Sequence, residues 1–156
     1  MQNEDPQRMS FKLRKLNFIP VERQIEVKDG RIAIVKENLD KSCSFYAKPI
    51  QEGEQDKVIV YNKEVDANVV RMAFCFKNKN KDLITVVDGN NLKLLSLKDM
   101  KEPFIDDRCL FQWDTKSGNW GRLKCVADPT MYISVENDKV TVGEKAELIR
   151  LNSVKK

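Results

Sequence analysis

Residues 24–35 read Gln-Ile-Glu-Val-Lys-Asp-Gly-Arg-Ile-Ala-Ile-Val. On either side of Lys28-Asp29-Gly30-Arg31 lie short runs rich in β-branched residues, which favour strands. Asp-Gly supplies the positive φ that a tight hairpin of the primed type requires, so the stretch predicts two antiparallel strands and a turn. Asp88-Gly89-Asn90-Asn91 does the same between Val87 and Leu92, and Glu136-Asn137-Asp138-Lys139 is a third such turn between Val135 and Val140.

Working outward from these turns, short runs rich in Val, Ile, Leu, Phe and Tyr recur at 11–18, 24–27, 31–35, 44–50, 57–61, 69–76, 83–87, 92–95, 109–113, 121–126, 131–135, 139–142 and 147–151. Clusters of Gly, Asn, Asp and Lys separate them, and no long stretch shows the three-to-four spacing of an amphipathic helix. The pattern predicts an all-β chain of about a dozen strands. Three hairpins at intervals of about fifty residues further suggest a β-trefoil, in which six hairpins form three pseudo-repeats, half closing a barrel and half capping it. A two-sheet sandwich is the alternative. The stretch from Lys98 to Asp107 is too polar for a strand and too long for a tight turn, which leaves a surface loop or a short helical turn.

The chain has 156 residues, 41% of them apolar and 33% charged, as expected of one globular domain. A chain of this size buries roughly 68–70% of its unfolded surface. Its longest apolar stretches, such as 83–87, fall far short of the roughly 20 residues a membrane-spanning helix needs, so no membrane insertion is expected. The first ten residues are polar and contain no signal-peptide core. The net charge of +4 arises from 28 basic and 24 acidic residues that are interspersed, which describes a mixed surface rather than a nucleic-acid-binding face. Cys43, Cys75, Cys109 and Cys125 show no paired spacing and there is no histidine, so neither a metal site nor a cofactor is expected. Each cysteine lies in or beside an apolar run, and the expectation is four reduced, mostly buried thiols.

Catalysis finds little support in this composition. Without histidine there is no general base suited to neutral pH and no Ser-His-Asp or Cys-His arrangement. The carboxylate pairs Asp106-Asp107 and Glu52 with Glu54 lie in polar, turn-like stretches where nothing would raise a pKa. Lectin trefoils repeat a Gln-x-Trp element, whereas this chain has Gln112-Trp113 once, side by side. Trefoil growth factors carry a dense basic cluster late in the chain; here Lys116, Arg122 and Lys124 are diluted by Asp114, Asp128 and Glu136.

Residues 110–142 carry a more specific pattern. Leu110-Phe111-Gln112-Trp113 is followed by Ser117-Gly118, by Arg122-Leu123-Lys124-Cys125-Val126-Ala127-Asp128-Pro129-Thr130-Met131-Tyr132-Ile133-Ser134, and by Lys139-Val140-Thr141-Val142. This resembles the carboxy-terminal third of the interleukin-1 family of cytokines, whose signature passes through a serine and a proline to an aromatic or aliphatic residue, Ile or Leu, a small residue and threonine. Pro129, Tyr132, Ile133 and Ser134 take the matching positions. Leu123 stands where the family has mostly Phe, Cys125 where it has Ser, and Val135 where it has Thr. In physical terms a strand delivers Leu123 inward, Asp128-Pro129 turns the chain because proline fixes φ and cannot donate to a ladder, and Tyr132-Ile133 starts the next strand. Upstream, 27–35 is similar to the second hairpin of the receptor-antagonist, interleukin-36 and interleukin-37 branches, and 55–61 to interleukin-33. The likeness spans about residues 11–152.

The resemblance implies a β-trefoil cytokine domain over 11–156 and a flexible segment at 1–10, open to trimming near Ser10. Ile19-Pro20-Val21 sits where trimmed members carry an aliphatic-x-acidic element. It also implies synthesis in the cytoplasm without a signal peptide, release by an unconventional route, and extracellular action as a monomer. The partners would be a receptor with an immunoglobulin-like ectodomain and its accessory chain, with inflammatory signalling triggered or blocked. A glycan-binding trefoil growth factor and an intracellular trefoil interaction module are the alternatives. A receptor footprint covers about 800 Å² per partner and rests on a few anchors. The candidates are exposed loop residues of mixed charge beside an apolar residue: Lys98, Lys101, Glu102, Phe104 and Asp107, then Glu52, Glu54 and Asp56, and finally Trp120, as a lid over the barrel mouth or an exposed anchor.

Overall fold

The β-rich runs become twelve strands in the computed structural model, which describes residues 17–40, 42–49, 57–78, 81–96 and 105–154. They are β1 (Ile19–Val27), β2 (Arg31–Glu37), β3 (Cys43–Pro49), β4 (Val58–Asp66), β5 (Val69–Asn78), β6 (Lys81–Asp88), β7 (Asn91–Ser96), β8 (Phe111–Ser117), β9 (Trp120–Cys125), β10 (Tyr132–Glu136), β11 (Lys139–Gly143) and β12 (Ile149–Ser153). Among the described residues the only helical element is one 3-10 turn, Asp107–Cys109.

All strand pairs are antiparallel, and they close on themselves. β1 pairs β4, β4 pairs β5, β5 pairs β8, β8 pairs β9, β9 pairs β12, and β12 returns to β1, which makes a six-stranded ring. A longer circuit of nine strands also closes, through β10, β11, β3 and β2. The hairpins β2–β3, β6–β7 and β10–β11 lie off the ring, and β3, β7 and β11 pack on one another. Closure leaves no ring edge open to pair with another chain.

One apolar cluster fills the ring and the space under the hairpins. It takes Ile25 and Val27 from β1, Val58 and Val60 from β4, Met72, Phe74 and Phe76 from β5, Phe111 from β8, Leu123 from β9 and Ile149 from β12. The Phe74 and Phe111 rings lie 5.5 Å apart, and Phe45 of β3 meets Phe76 edge-on at 4.8 Å. A second cluster, Phe18, Tyr61, Ala73, Cys75, Ile84, Val86, Cys109 and Leu110, covers the other face of β4, β5 and β6. Because β5 is buried on both faces, 72–76 reads Met-Ala-Phe-Cys-Phe without alternation.

Several boundaries differ from the sequence expectation. Of the predicted strand at 11–18, residues 11–16 lie outside the described residues, Asn17 is in a turn with φ of 69°, and Phe18 is buried just before β1 begins. β1 instead runs through 19–23, where Pro20 breaks the strand signal. Pro20 is tolerated because it faces Tyr61 of β4, while the β12 pairing starts only at Arg23, so the missing N–H breaks no ladder on that side. Cys109, expected in a strand, belongs to the 3-10 turn, and β12 begins two residues later than the run at 147–151.

The turns at 88–91 and 136–139 are two-residue loops with Gly89 (φ 61°) and Asn137 (φ 57°) at the first central position, as a primed turn requires. At 28–30 the geometry is different. Only Gly30 is left-handed (φ 96°), its N–H donates to the Val27 carbonyl at 3.0 Å, and the loop is an ordinary turn closed by a glycine bulge. This first hairpin joins a ring strand to a cap strand, so it is out of phase with the other two. Their counterpart is β2–β3, where the Asn38 N–H donates to the Ser42 carbonyl at 2.8 Å.

Candidate functional site

Of the nine candidate residues, Glu52, Glu54, Asp56, Lys98, Lys101, Glu102 and Phe104 lie outside the described residues. Asp107 and Trp120 are described. Asp107 opens the 3-10 turn with its side chain largely in solvent, 4.0 Å from Arg71 Nη1. Beside it, Asp106 caps the turn by accepting from the Arg108 N–H at 2.9 Å and from Arg108 Nη2 at 2.9 Å. The hydrogen bond from Arg108 holds the Asp106 carboxyl below its ordinary range, and burial opposes it. An exposed pair such as Arg71 with Asp107 contributes about 0–1 kcal/mol, so Asp107 is available for contact at little cost to the fold.

Trp120 is the other described candidate. It is half-buried at the start of β9, with the Arg150 guanidinium 4.5 Å from its ring centroid. Arg150 Nε donates to Glu26 Oε1 at 2.9 Å, and the same oxygen accepts from Asn152 Nδ2 at 2.7 Å. A guanidinium fixed on both sides in this way contributes about 0.5–2 kcal/mol through the ring. The indole at the open end of the ring is Trp113. Its position two residues after the buried Phe111 was the available signal, since a period of two puts both on the inner face.

At the hairpin end a cleft of about 740 Å³ runs between the three hairpins, lined by Tyr46, Leu94, Asn137 and Lys139 among others. Arg31 bonds to one of the cleft's lining residues, Asn137. Its Nε donates to both Asp29 oxygens at 3.1 and 3.0 Å and its Nη1 to the Asn137 carbonyl at 2.7 Å, joining the first turn to the last hairpin. The Arg31–Asp29 hydrogen bond lowers the Asp29 pKa and raises that of Arg31. A neighbouring hollow of about 690 Å³ ends at Leu39, whose side chain is fully exposed. Beside Leu39, Asn38 Nδ2 donates to Ser44 Oγ at 2.8 Å and Ser42 Oγ donates to Asp40 Oδ1 at 2.6 Å. A fixed loop presenting one apolar side chain is the form that interface anchors take.

Several of the described ionisable groups are engaged in pairs or buried. Asp88 pairs Lys93, Asp114 pairs Lys124 and accepts from the Tyr132 hydroxyl at 2.8 Å, and Glu22 pairs Lys57. Burial pushes the Cys75 and Cys109 thiols up and carries Cys125 to about 12, which disfavours the nucleophilic thiolate. Burial also raises Asp82, against the pull of Lys77, and no group of three metal-ligating side chains occurs among the described residues. Inside the ring is a pocket lined by Phe74, Leu123 and other apolar side chains, with room for about one water.

Neither a protein-family model nor a curated protein matches the chain.

Proposed function

We propose that the protein is a β-trefoil ligand of interleukin-1 type, which acts by being bound by the immunoglobulin-like ectodomain of a cell-surface receptor together with an accessory chain. The observation that carries this reading is the coincidence of two independent patterns. The strand pairing divides the chain into three successive sets of four, β1–β4, β5–β8 and β9–β12, each contributing two strands to the ring and one hairpin to the cap. This three-set arrangement supports a trefoil reading, and the course of segment 110–142 supports the family resemblance. Leu123 is buried on β9, Asp128 closes a turn by accepting from the Thr130 N–H at 3.1 Å, the Met131 N–H donates to the Asp128 carbonyl at 3.0 Å, and Tyr132 opens β10.

Engaged carboxylates and buried thiols favour a binding role over an enzymatic one, and the hairpin-end hollows with Leu39 supply a footprint of mixed polarity. The test uses cells that each carry one receptor of the family with the accessory chain. The expected result is signalling, or block of a reference agonist, on one receptor. Absence of both effects on every receptor refutes the reading.

A further inference from the structure

The inner face of the ring changes character along its axis. On β1 it runs from the buried Val27 and Ile25 to Arg23 and Val21, on β4 from Val58 and Val60 to Asn62, and on β12 from Ile149 to Leu151 and Ser153. Side chains two apart share a face of a strand, so Arg23 and Asn62 point the same way as the core yet lie beyond it, at the end of the ring away from the hairpins. There they line a cleft of about 500 Å³ with Lys116, Asn119, Arg150 and Asn152, over a floor that includes Met72 and Trp113.

Among the described residues no carboxylate lines this cleft. Arg150 is balanced by Glu26, but Arg23 donates from Nη1 to the Glu22 backbone carbonyl at 2.9 Å, and the Lys116 ammonium sits 5.3 Å above the Trp113 ring. Neither Arg23 nor Lys116 meets a carboxylate among the described residues. An inward-facing, half-buried arginine that meets no carboxylate among the described residues keeps guanidinium donors for an anion brought by a partner. The amides of Asn62 and Asn119 likewise make no hydrogen bond to another described residue, and an amide both donates and accepts, as a sugar hydroxyl requires and a bare anion does not. The basic residues of β9 behave differently. Lys124 is neutralised by Asp114 at 3.7 Å, so the basic group Lys116, Arg122 and Lys124 does not act as one patch.

We propose that the open end of the ring binds a sulfated glycan, with Arg23 and Lys116 taking sulfate groups and Asn62 and Asn119 taking ring hydroxyls. The cleft lies away from the hairpin-end surface, so the proposal does not depend on the receptor reading.

The test is calorimetric titration of the full chain with a heparin-derived tetrasaccharide at low and at physiological salt. Saturable 1:1 binding is expected, weaker at higher salt. Arg23→Ala and Lys116→Ala should each weaken it at least tenfold, and the pair Asn62→Ala and Asn119→Ala at least threefold. Arg122→Ala with Lys124→Ala should change it less than twofold. Lys116 is exposed, so its variant serves as the readout if Arg23→Ala lowers the melting temperature. The proposal is overturned if the β9 variants carry the loss, if the desulfated tetrasaccharide binds equally well, or if polyphosphate binds as tightly and the asparagine variants have no effect.

Discussion

Gly121 is the position where a single methyl group tests the packing of the ring most sharply. It lies on β9, opposite Lys116 of β8 and Ile149 of β12. A Cβ added there would stand 2.7 Å from Trp113 Cε3, 2.8 Å from Trp113 Cζ3 and 2.9 Å from the Thr115 carbonyl oxygen. Its φ is not in the left-handed region, so alanine can adopt the backbone, and the reduced freedom of the unfolded chain would by itself stabilise Gly121→Ala by about 0.4–1 kcal/mol. Overpacking outweighs that gain. Forcing a methyl into a filled site costs about 1–3 kcal/mol, so a net loss of about 1–2 kcal/mol is expected. For a domain of this length that is a fall in melting temperature of about 2–8 °C.

The indole supplies two of the three close contacts. In a Trp113→Ala background the Thr115 carbonyl still stands 2.9 Å from the added methyl, so a cost remains, but it should be smaller than in the wild type because the two indole contacts are gone. Urea unfolding of the wild type, both single variants and the double variant gives the coupling directly. Non-additivity of about 1 kcal/mol is expected. Additive effects within about 0.3 kcal/mol, or a Gly121→Ala protein as stable as the wild type, would refute the placement of Trp113 against β9.

Three further expectations follow from the described geometry. Leu39→Ala should leave stability within about 0.5 kcal/mol of the wild type, because the side chain is fully exposed, yet weaken receptor-ectodomain binding at least tenfold, measured by surface plasmon resonance. Of the four thiols, only half-buried Cys43 should react quickly with a thiol reagent under native conditions. Cys75, Cys109 and Cys125 should react only as the chain opens, and two or more fast thiols would contradict their burial. The folded pKa values of Asp29, Asp88, Asp106 and Asp128 are lowered by hydrogen bonds, so the unfolded chain binds more protons in the acid range and stability falls as pH drops below the ordinary carboxylate value of about 4. Asp29→Asn should make the melting temperature less steep in pH between about 5 and 3, and an unchanged slope would remove the Arg31 bond as its cause.

The features legible in the sequence were those fixed by local chemistry. Gly89 and Asn137 announce their turns because few residues accept a positive φ, and Asp128-Pro129 marks the end of a strand for the same local reason. Features that depend on ring closure were not legible. The first half of β1 hides behind Pro20, which is harmless only because that stretch has β4 on one side and no β12 partner on the other. Residues 72–76 lose their alternation because two clusters bury both faces of β5, a fact set by what packs outside the ring. Trp120 was singled out for its turn-side position, but the partners that hold it, Arg150 and Glu26, come from strands far away in sequence. Arg23 is not legible as inward-facing, because an arginine in an alternating run reads as outward-facing until the register with β12 and β4 is known.

Binding to receptor ectodomains tests the central claim most directly. The full chain, titrated by surface plasmon resonance against immobilised immunoglobulin-like ectodomains of the interleukin-1 receptor family at physiological salt, is expected to give saturable binding to one of them with a Kd below about 1 μM, tightened or left unchanged by the accessory chain. Flat responses across the whole set, with the protein shown to be folded by its β-sheet circular dichroism, would contradict it.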